Sequence, residues 1–281
     1  MGTGWSRNRI VASFYRGVMR LIVPQTNDAV EVNGYLMYSR LGKGRTIDGL
    51  TQGIVIDKSY EPCMTRHLSM YLRQGMKVID VGANVGYYTL LAAKYIGKSG
   101  KVWAFEPEPR NFKELLDNIQ LNQYADIVKP RQEAVSNVAG EATLFVSLVE
   151  SGEHSIVPCR GYNKKEVNVE MVRLDDVIQG VCIDILKTDT EGNDMNVLIG
   201  ANKLLARSQD ILLYTEFWPD GLVASGHSPE DYWNLLVSLG FVISLLDDHN
   251  ISVMETNLPS VLAHIRKHRN MSANLLCRRR K

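Results

Sequence analysis

Cysteine is scarce in this chain. Its four residues in 281, Cys63, Cys159, Cys182 and Cys277, lie 96, 23 and 95 positions apart. No C-x-x-C pair occurs, so neither a disulfide framework nor a zinc knuckle fits, whereas reduced thiols do. Long apolar runs are missing too: no window approaches the roughly 18 uninterrupted residues a membrane span needs. An apolar run follows Arg7 and Arg9, but Arg16 interrupts it and no small-residue cleavage site comes after. A secretory signal is therefore not expected, and the chain reads as a soluble, cytoplasmic protein. There is no internal repeat and no low-complexity tract. With 45% hydrophobic and 22% charged residues, collagen-like, coiled-coil and disordered classes fall away.

Acid is absent from both ends. Residues 1–23 hold Arg7, Arg9, Arg16 and Arg20 and no acid, and residues 262–281 hold seven lysines and arginines, again without acid. Those ends contribute +11 to a net charge of +1, so residues 24–261 carry −10. A summed charge hides two basic ends on an acidic body. Arg9, Ser13, Arg16 and Arg20 share one helical face, with Ile10, Val11, Phe14, Val18, Leu21 and Ile22 around most of the rest. Three uses fit such a helix: peripheral contact with an anionic membrane surface, a dimer contact, or docking on the protein's own body. Residues 259–281 read as a basic, solvated tail. No aromatic residue interleaves with its charges to stack on bases, so nucleic acid is not the expected partner.

From residue 75 onward, short β-rich runs alternate with helical patterns, the mark of a parallel sheet with helices on both faces. Strands are expected at Met76–Val81, Lys101–Phe105, Ile127–Lys129, Ile183–Lys187, Ile211–Thr215, Phe241–Leu246 and Ile251–Glu255. Helices are expected over 85–96, from Pro109, over Asp194–Ala206 and from Ser228, the last with a hydroxyl cap, a proline and two acids in its first turn. Between them, Ala142–Ser147 and Asn168–Leu174 look like strands with no intervening helix, joined by a polar insertion. The fold class is α/β: a doubly wound, mostly parallel, seven-stranded Rossmann-like sheet ending in a hairpin. An extension over 1–59 precedes a cofactor-binding domain over 60–258, followed by the tail.

The first strand meets its helix at Asp80-Val81-Gly82-Ala83-Asn84-Val85-Gly86. In open α/β sheets, ligands bind outside the carboxyl ends of the strands, near a helix N-terminus. A nicotinamide dinucleotide site wants G-x-G-x-x-G with amides facing a pyrophosphate. Here Asp80 holds the first glycine position, and its carboxylate would repel a pyrophosphate but suit an ammonium or sulfonium. Glu106 ends the second strand, 26 residues after Asp80, where an acid can accept both ribose hydroxyls of an adenosine moiety. Together these residues describe a pocket for S-adenosylmethionine, although a glycine-rich turn by itself also serves tight strand-to-helix packing.

At this point the chain resembles the FkbM-type S-adenosylmethionine-dependent methyltransferases, within the class I methyltransferase fold. The matching stretches are Y-E-P-C-M-T-R-H-L (60–68), V-I-D-V-G-A-N-V-G-Y-Y-T (78–89), F-E-P-E-P-R-N-F (105–112), E-A-V-S-N (133–137), V-R-L-D-D-V-I (172–178) and L-K-T-D-T-E-G-N-D (186–194). The resemblance implies cofactor contacts from Asp80, Gly82, Asn84 and Gly86, with Glu106 on the ribose. It further implies Glu133 and Ala134 near the adenine edge and Glu61 toward the methionine end. Cys63 stands where many relatives carry an acid, and Thr188 and Thr190 replace aliphatics around Asp189.

Methyl transfer is an in-line displacement, and an attacking hydroxyl must shed its proton, which a carboxylate, an imidazole or a metal ion assists. Asp189 and Glu191 follow the fourth strand and Glu216 the fifth, so all three reach the sheet edge that carries the glycine turn. Asp189 or Glu191 is the expected base or hydroxyl orienter, with Glu216 and His154 as substrate contacts. The plainer alternatives are helix capping by Asp189 and Glu191, packing for Glu216 and solvation for His154. A divalent metal held by the three acids is the less favoured arrangement. The [D/N]-P-P-[Y/F] of amino methyltransferases is absent, and Pro158-Cys159 precedes the fourth strand rather than following it as in cytosine methyltransferases. Oxygen is the expected acceptor, on a small metabolite, sugar or glycolipid. The rivals are an RNA or protein methyltransferase recruited by the basic ends, and a non-catalytic module that kept the pocket.

Overall fold

A computed structural model describes residues 28–38, 50, 53, 58–147, 152–158 and 164–279. The expected basic helix of residues 7–22 lies outside them, as do Cys159 and the final Arg280 and Lys281. In chain order, β1 (Ala29–Val32) and β2 (Tyr35–Tyr38) precede α1 (Pro62–Tyr71), β3 (Lys77–Val81), α2 (Tyr87–Ile96), β4 (Lys101–Phe105), α3 (Pro109–Leu121) and β5 (Val128–Arg131). Next come β6 (Ala134–Val135), β7 (Gly140–Ser147), β8 (Lys164–Val172), α4 (Leu174–Val177), β9 (Ile185–Thr188), α5 (Asp194–Ile199) and α6 (Asn202–Arg207). The chain continues through β10 (Leu212–Phe217), α7 (Pro219–Ala224), α8 (Pro229–Ser238), β11 (Phe241–Asp247), β12 (Ser252–Glu255), α9 (Leu258–His268) and β13 (Ala273–Arg279).

Local chemistry sets many of these bounds. Pro109 begins α3 and the Glu108 side chain accepts the Asn111 amide at 2.7 Å. At α8, Ser228 and Asp231 form the reciprocal capping box. The expected helix over 194–206 is two short helices, because Gly200 brings its bare Cα against the Ser136 carbonyl and the chain turns there.

The main sheet has eight strands in the order β12-β11-β13-β10-β9-β3-β4-β5. Strands β10, β9, β3, β4 and β5 pair in parallel, whereas β13 is antiparallel to both β10 and β11. Strand order reverses between β3 and β9, which makes their carboxyl ends the switch-point crevice. Alternate strand residues feed two cores. Val78, Val102, Ile185 and Leu276 join Leu90 and Leu91 of α2 and Leu115 of α3, while Ile79, Leu186, Leu213 and Leu275 join Val197, Leu205, Leu236 and Val261 on the opposite face. The result is a three-layer sandwich with helices on both sides.

The region read as a solvated tail is instead an inner element of the sheet. Leu275, Leu276 and Cys277 are fully buried, and Arg279 donates to the carbonyls of Leu205, Ser208 and Leu239. Flanking arginines made these residues look like a terminus, yet a strand covered on both faces shows no alternation and needs only a short apolar run. This strand raises the expected seven to eight. The insertion is also real: β8 pairs antiparallel with β7 and parallel with β6 in a separate three-stranded sheet. The β1–β2 hairpin turns on Asn33 and Gly34, both at positive φ, and docks through Asn118 of α3 and Asn122, which caps that helix.

Because Leu275 is buried in the middle of the sheet, Leu275→Ala is expected to cost about 2–5 kcal/mol. Urea unfolding of the purified variant measures it; a loss within surface-substitution range would show that β13 is not packed as described.

Candidate functional site

Two loops meet at the crevice. After β3 the chain turns through Gly82, Asn84 and Gly86, at φ 74°, 50° and 98°. A side chain at Gly82 would collide with the Asp189 carbonyl, so the glycine lets the loop after β3 touch the loop after β9. The amides of Gly82 and Ala83 both donate to the Phe105 carbonyl, at 3.0 and 2.9 Å, which aligns the turn with the end of β4. There Glu106 accepts the Asn84 amide on Oε2 at 2.7 Å and the Glu108 amide on Oε1 at 2.8 Å. Burial pushes the Glu106 carboxyl up to about 7 against the pull of those two amides.

Behind the turn lies Lys187, buried at the end of β9. Its Nζ donates to the Gly82 carbonyl at 3.0 Å and sits 3.4 Å from both Asp80 Oδ1 and Asp189 Oδ2. Burial opposes its charge, but Asp189, Asp80 and Glu61 outweigh that, and the ammonium holds its proton more tightly than an ordinary lysine. Asp80 Oδ2 accepts from the Thr89 hydroxyl at 2.6 Å, while its buried Oδ1 has no hydrogen-bond partner among the described residues.

Acids crowd the other side. Ligating oxygens of Asp189, Glu191 and Glu216 all lie within 4.8 Å of one another. Asn193, not Asp189 or Glu191, occupies the cap position of α5. Glu191 itself is left-handed at φ 53°, followed by Gly192 at 96°, a bend that brings the loop against Gly221 of α7. Burial, then Glu191 and Asp189, push the Glu216 carboxyl well above its usual range, and burial and Asp189 raise Asp194 to about 6. Glu61 is held from two sides: it accepts from the Tyr88 hydroxyl at 2.6 Å and from Asn274 Nδ2 at 2.8 Å. Burial and Asp189 raise its carboxyl to about 7.

Contacts thus link Asp80, Gly82, Asp189, Glu191, Glu216 and Glu61 around the carboxyl ends of β3, β9 and β10, and Asn84 to Glu106 at the end of β4, while Gly86 packs against Leu115. The other expected residues are placed as follows. Glu133 forms a two-pronged ion pair with Arg131, at 2.5 and 2.6 Å. Ala134 is buried in β6, opposite Met171. His154 accepts the Ser147 amide on Nδ1 at 3.1 Å, so its ring turns into the insertion, while the next residue, Ser155, donates to the Glu191 carbonyl at 2.7 Å. Sequence reading passed over Lys187, Tyr88 and Asn274. Lys187 stood in plain view inside L-K-T-D-T-E-G-N-D; a lysine at the end of an otherwise apolar strand was its signal. Asn274 carried none, because its strand was not recognised.

The sequence model of the methyltransferase FkbM domain matches residues 80–250. Methyltransferase sdnD of Sordaria araneosa is 31% identical over 158 residues, covering 45% of this chain and 60% of its own. The 31-O-demethyl-FK506 methyltransferase FkbM of Streptomyces tacrolimicus is 29% identical over 263 residues, covering 78% of this chain and 90% of its own. Among solved structures, a methyltransferase FkbM from Methylobacillus flagellatus KT has a TM-score of 0.45 at 16% identity, covering 81% of this chain and 53% of that one. The chain thus spans less than two thirds of sdnD and of that structure, but most of the Streptomyces protein. The domain match runs from the glycine turn through the acid-bearing loops to the β11–β12 turn, and the chain belongs to the FkbM family of S-adenosylmethionine-dependent methyltransferases.

Proposed function

We propose that this protein methylates a hydroxyl oxygen of a small metabolite, sugar or glycolipid. The observation that carries the reading is the convergence of Asp189, Glu191 and Glu216 within 4.8 Å at the crevice. Such a cluster suits an acceptor that must be oriented and relieved of a proton. The name of the Streptomyces relative, which denotes an oxygen acceptor on FK506, agrees with it.

The residues present fit the cofactor. Asp80 keeps a buried oxygen without a hydrogen-bond partner, and Glu106 is fixed by two backbone amides with lone pairs left for hydroxyls. In this reading Glu106 accepts the ribose hydroxyls, the Gly82–Gly86 turn gives the backbone room to approach, and Asp80 and Glu61 face the cationic methionine end. When bound, S-adenosylmethionine supplies a methyl group on a positively charged sulfur. Lys187 pairs with Asp80 and Asp189 and joins the two loops that frame the reaction. Asp189 or Glu191 accepts the acceptor's proton, while Glu216, whose carboxyl is pushed toward the protonated form by burial and by Glu191 and Asp189, donates a hydrogen bond to the acceptor. A second arrangement, in which the three acids hold a magnesium or calcium ion, rests on the same 4.8 Å spacing.

Glu106→Gln is expected to weaken cofactor binding by about 1.5–3 kcal/mol, roughly 10–100-fold, in isothermal titration. Asp189→Asn and Glu191→Gln are expected to differ. The variant that removes the base lowers kcat about 10²–10⁴-fold on a hydroxylated acceptor while cofactor affinity holds. Unchanged turnover in both, across a panel of hydroxylated acceptors with methyl-labelled cofactor, would refute the oxygen-acceptor reading. The same panel run with a chelator separates the arrangements, since loss of turnover there favours the ion.

Stability should respond to pH between about 6.5 and 8. Glu61 and Glu106 have folded pKa values raised to about 7, and burial also raises Glu216, so their contribution is full below the unfolded value and lost as pH rises through the folded one. His67 and His264 are shifted the other way, and their contribution has largely levelled off above the free histidine value of about 6.5. The Tm of the cofactor-free protein should therefore fall from pH 6.5 to 8, and Glu61→Gln should flatten that slope. A Tm rising over this interval would contradict the burial assigned to these acids.

A further inference from the structure

The loop that carries Asp189 and Glu191 is held from the second sheet. Ser155 is buried and pairs with Phe145 of β7 through both backbone groups, its amide donating at 3.3 Å and its carbonyl accepting at 2.8 Å. Its Oγ accepts the Val157 amide at 3.0 Å and donates to the Glu191 carbonyl at 2.7 Å, with the Thr190 carbonyl farther off at 3.4 Å. Two residues beyond Glu191, Asn193 donates from Nδ2 to the Val135 carbonyl of β6 at 2.9 Å. Ile156 packs onto the small core of Ala134, Leu144, Val146 and Val169, so the Ser155 hydroxyl is mounted on packed structure.

We propose that Ser155 is a positioning residue for methyl transfer: its hydroxyl fixes the Glu191–Gly192 peptide and so holds the Glu191 carboxyl beside those of Asp189 and Glu216. This role presupposes that Glu191 serves as base or hydroxyl orienter, as in the proposed function. Two forces work against the placement. Glu191 is left-handed at φ 53°, a conformation that costs a residue with a side chain free energy. Three carboxyl groups with oxygens within 4.8 Å of one another also repel when ionised. Rotation of the Glu191 peptide would relieve both, because a change in its φ and ψ swings the carboxyl away from its neighbours. Ser155 opposes that rotation at the carbonyl. On the other side Gly192 lies against Gly221 of α7, where a Cβ would come 2.7 Å from the Gly221 Cα. The peptide is thus gripped between α7 and the insertion, and Ser155 acts through Glu191 rather than on the acceptor.

The test compares the full-length parent with Ser155→Ala, Ser155→Thr, Glu191→Gln and the double variant Ser155→Ala/Glu191→Gln. Turnover is read with methyl-labelled S-adenosylmethionine on a panel of methyl glycosides, polyols and phenols, cofactor affinity by isothermal titration, and folding by circular dichroism. Ser155→Ala is expected to lower kcat about 10–100-fold, the range that a displacement of about 1 Å produces, while acceptor KM and cofactor affinity hold. Ser155→Thr keeps the donor and should recover most of the loss. In the Glu191→Gln background, Ser155→Ala should change kcat less than about twofold. A crystal structure of Ser155→Ala should show the Glu191 carboxyl outside the 4.8 Å cluster. Should Ser155→Ala fail to fold, Ser155→Cys, which nearly keeps the volume and weakens the donor, takes its place. Parental kcat in Ser155→Ala, or Glu191 still within the cluster there, would overturn the inference, as would effects that multiply in the double variant. Parental kcat in Glu191→Gln overturns it too while leaving the oxygen-acceptor reading in place; parental kcat in Asp189→Asn as well removes both.

Discussion

An ammonium group buried at the centre of a sheet edge organises this protein's crevice. Lys187 reaches a backbone carbonyl on the loop after β3 and carboxylates on β3 and on the loop after β9, so it works as a charge and as a clamp at once. Removing one partner from such a set would leave an uncompensated charge away from water, and that penalty holds the geometry in place. The loops after β3 and β9 can be this close only because Gly82 has no side chain to meet the Asp189 carbonyl. Close backbone contact and charge pairing thus depend on each other: the glycine allows the approach, and the lysine keeps it.

Around that centre the acids divide by environment. Asp189 has the lysine beside it, whereas Glu216 and Glu61 are pushed toward protonation by burial and by neighbouring carboxylates. Carboxyl groups of one chemical type are in this way given different proton affinities by their surroundings. The strand nearest the chain's end takes part. Asn274 of β13 holds Glu61 and pairs in register with Glu216, so the last strand of the sheet supports the pocket as well as the core.

The parallel half of the fold was legible because its signals are local. Met76–Val81 and Lys101–Phe105 are short apolar runs ended by turn residues, and α3 and α8 announce themselves by proline and cap. The crevice acids were legible for a related reason, since strand ends deliver them to one edge in any doubly wound sheet. His154 shows the limit. A polar loop gives no sign of which way a ring turns, and this one satisfies an amide of its own hairpin. β13 shows another limit, because its four arginine or lysine neighbours carry the sequence signal of a solvated end while Leu275 and Leu276 fill opposite cores.

By itself, the order of residues determined the alternation of strands and helices, the glycine turn, the acids Asp80 and Glu106 at the ends of β3 and β4, and the loop acids beyond them. These follow from periodicity and turn chemistry, which act over a few neighbouring residues. Only the tertiary structure decided that Lys187 would join two loops, that Asn274 would reach Glu61 across 213 positions, and that Ser155 would hold the Glu191 carbonyl. Such contacts are chosen by which strands lie side by side, and that choice is made by burial of both sheet faces rather than by any short run of sequence.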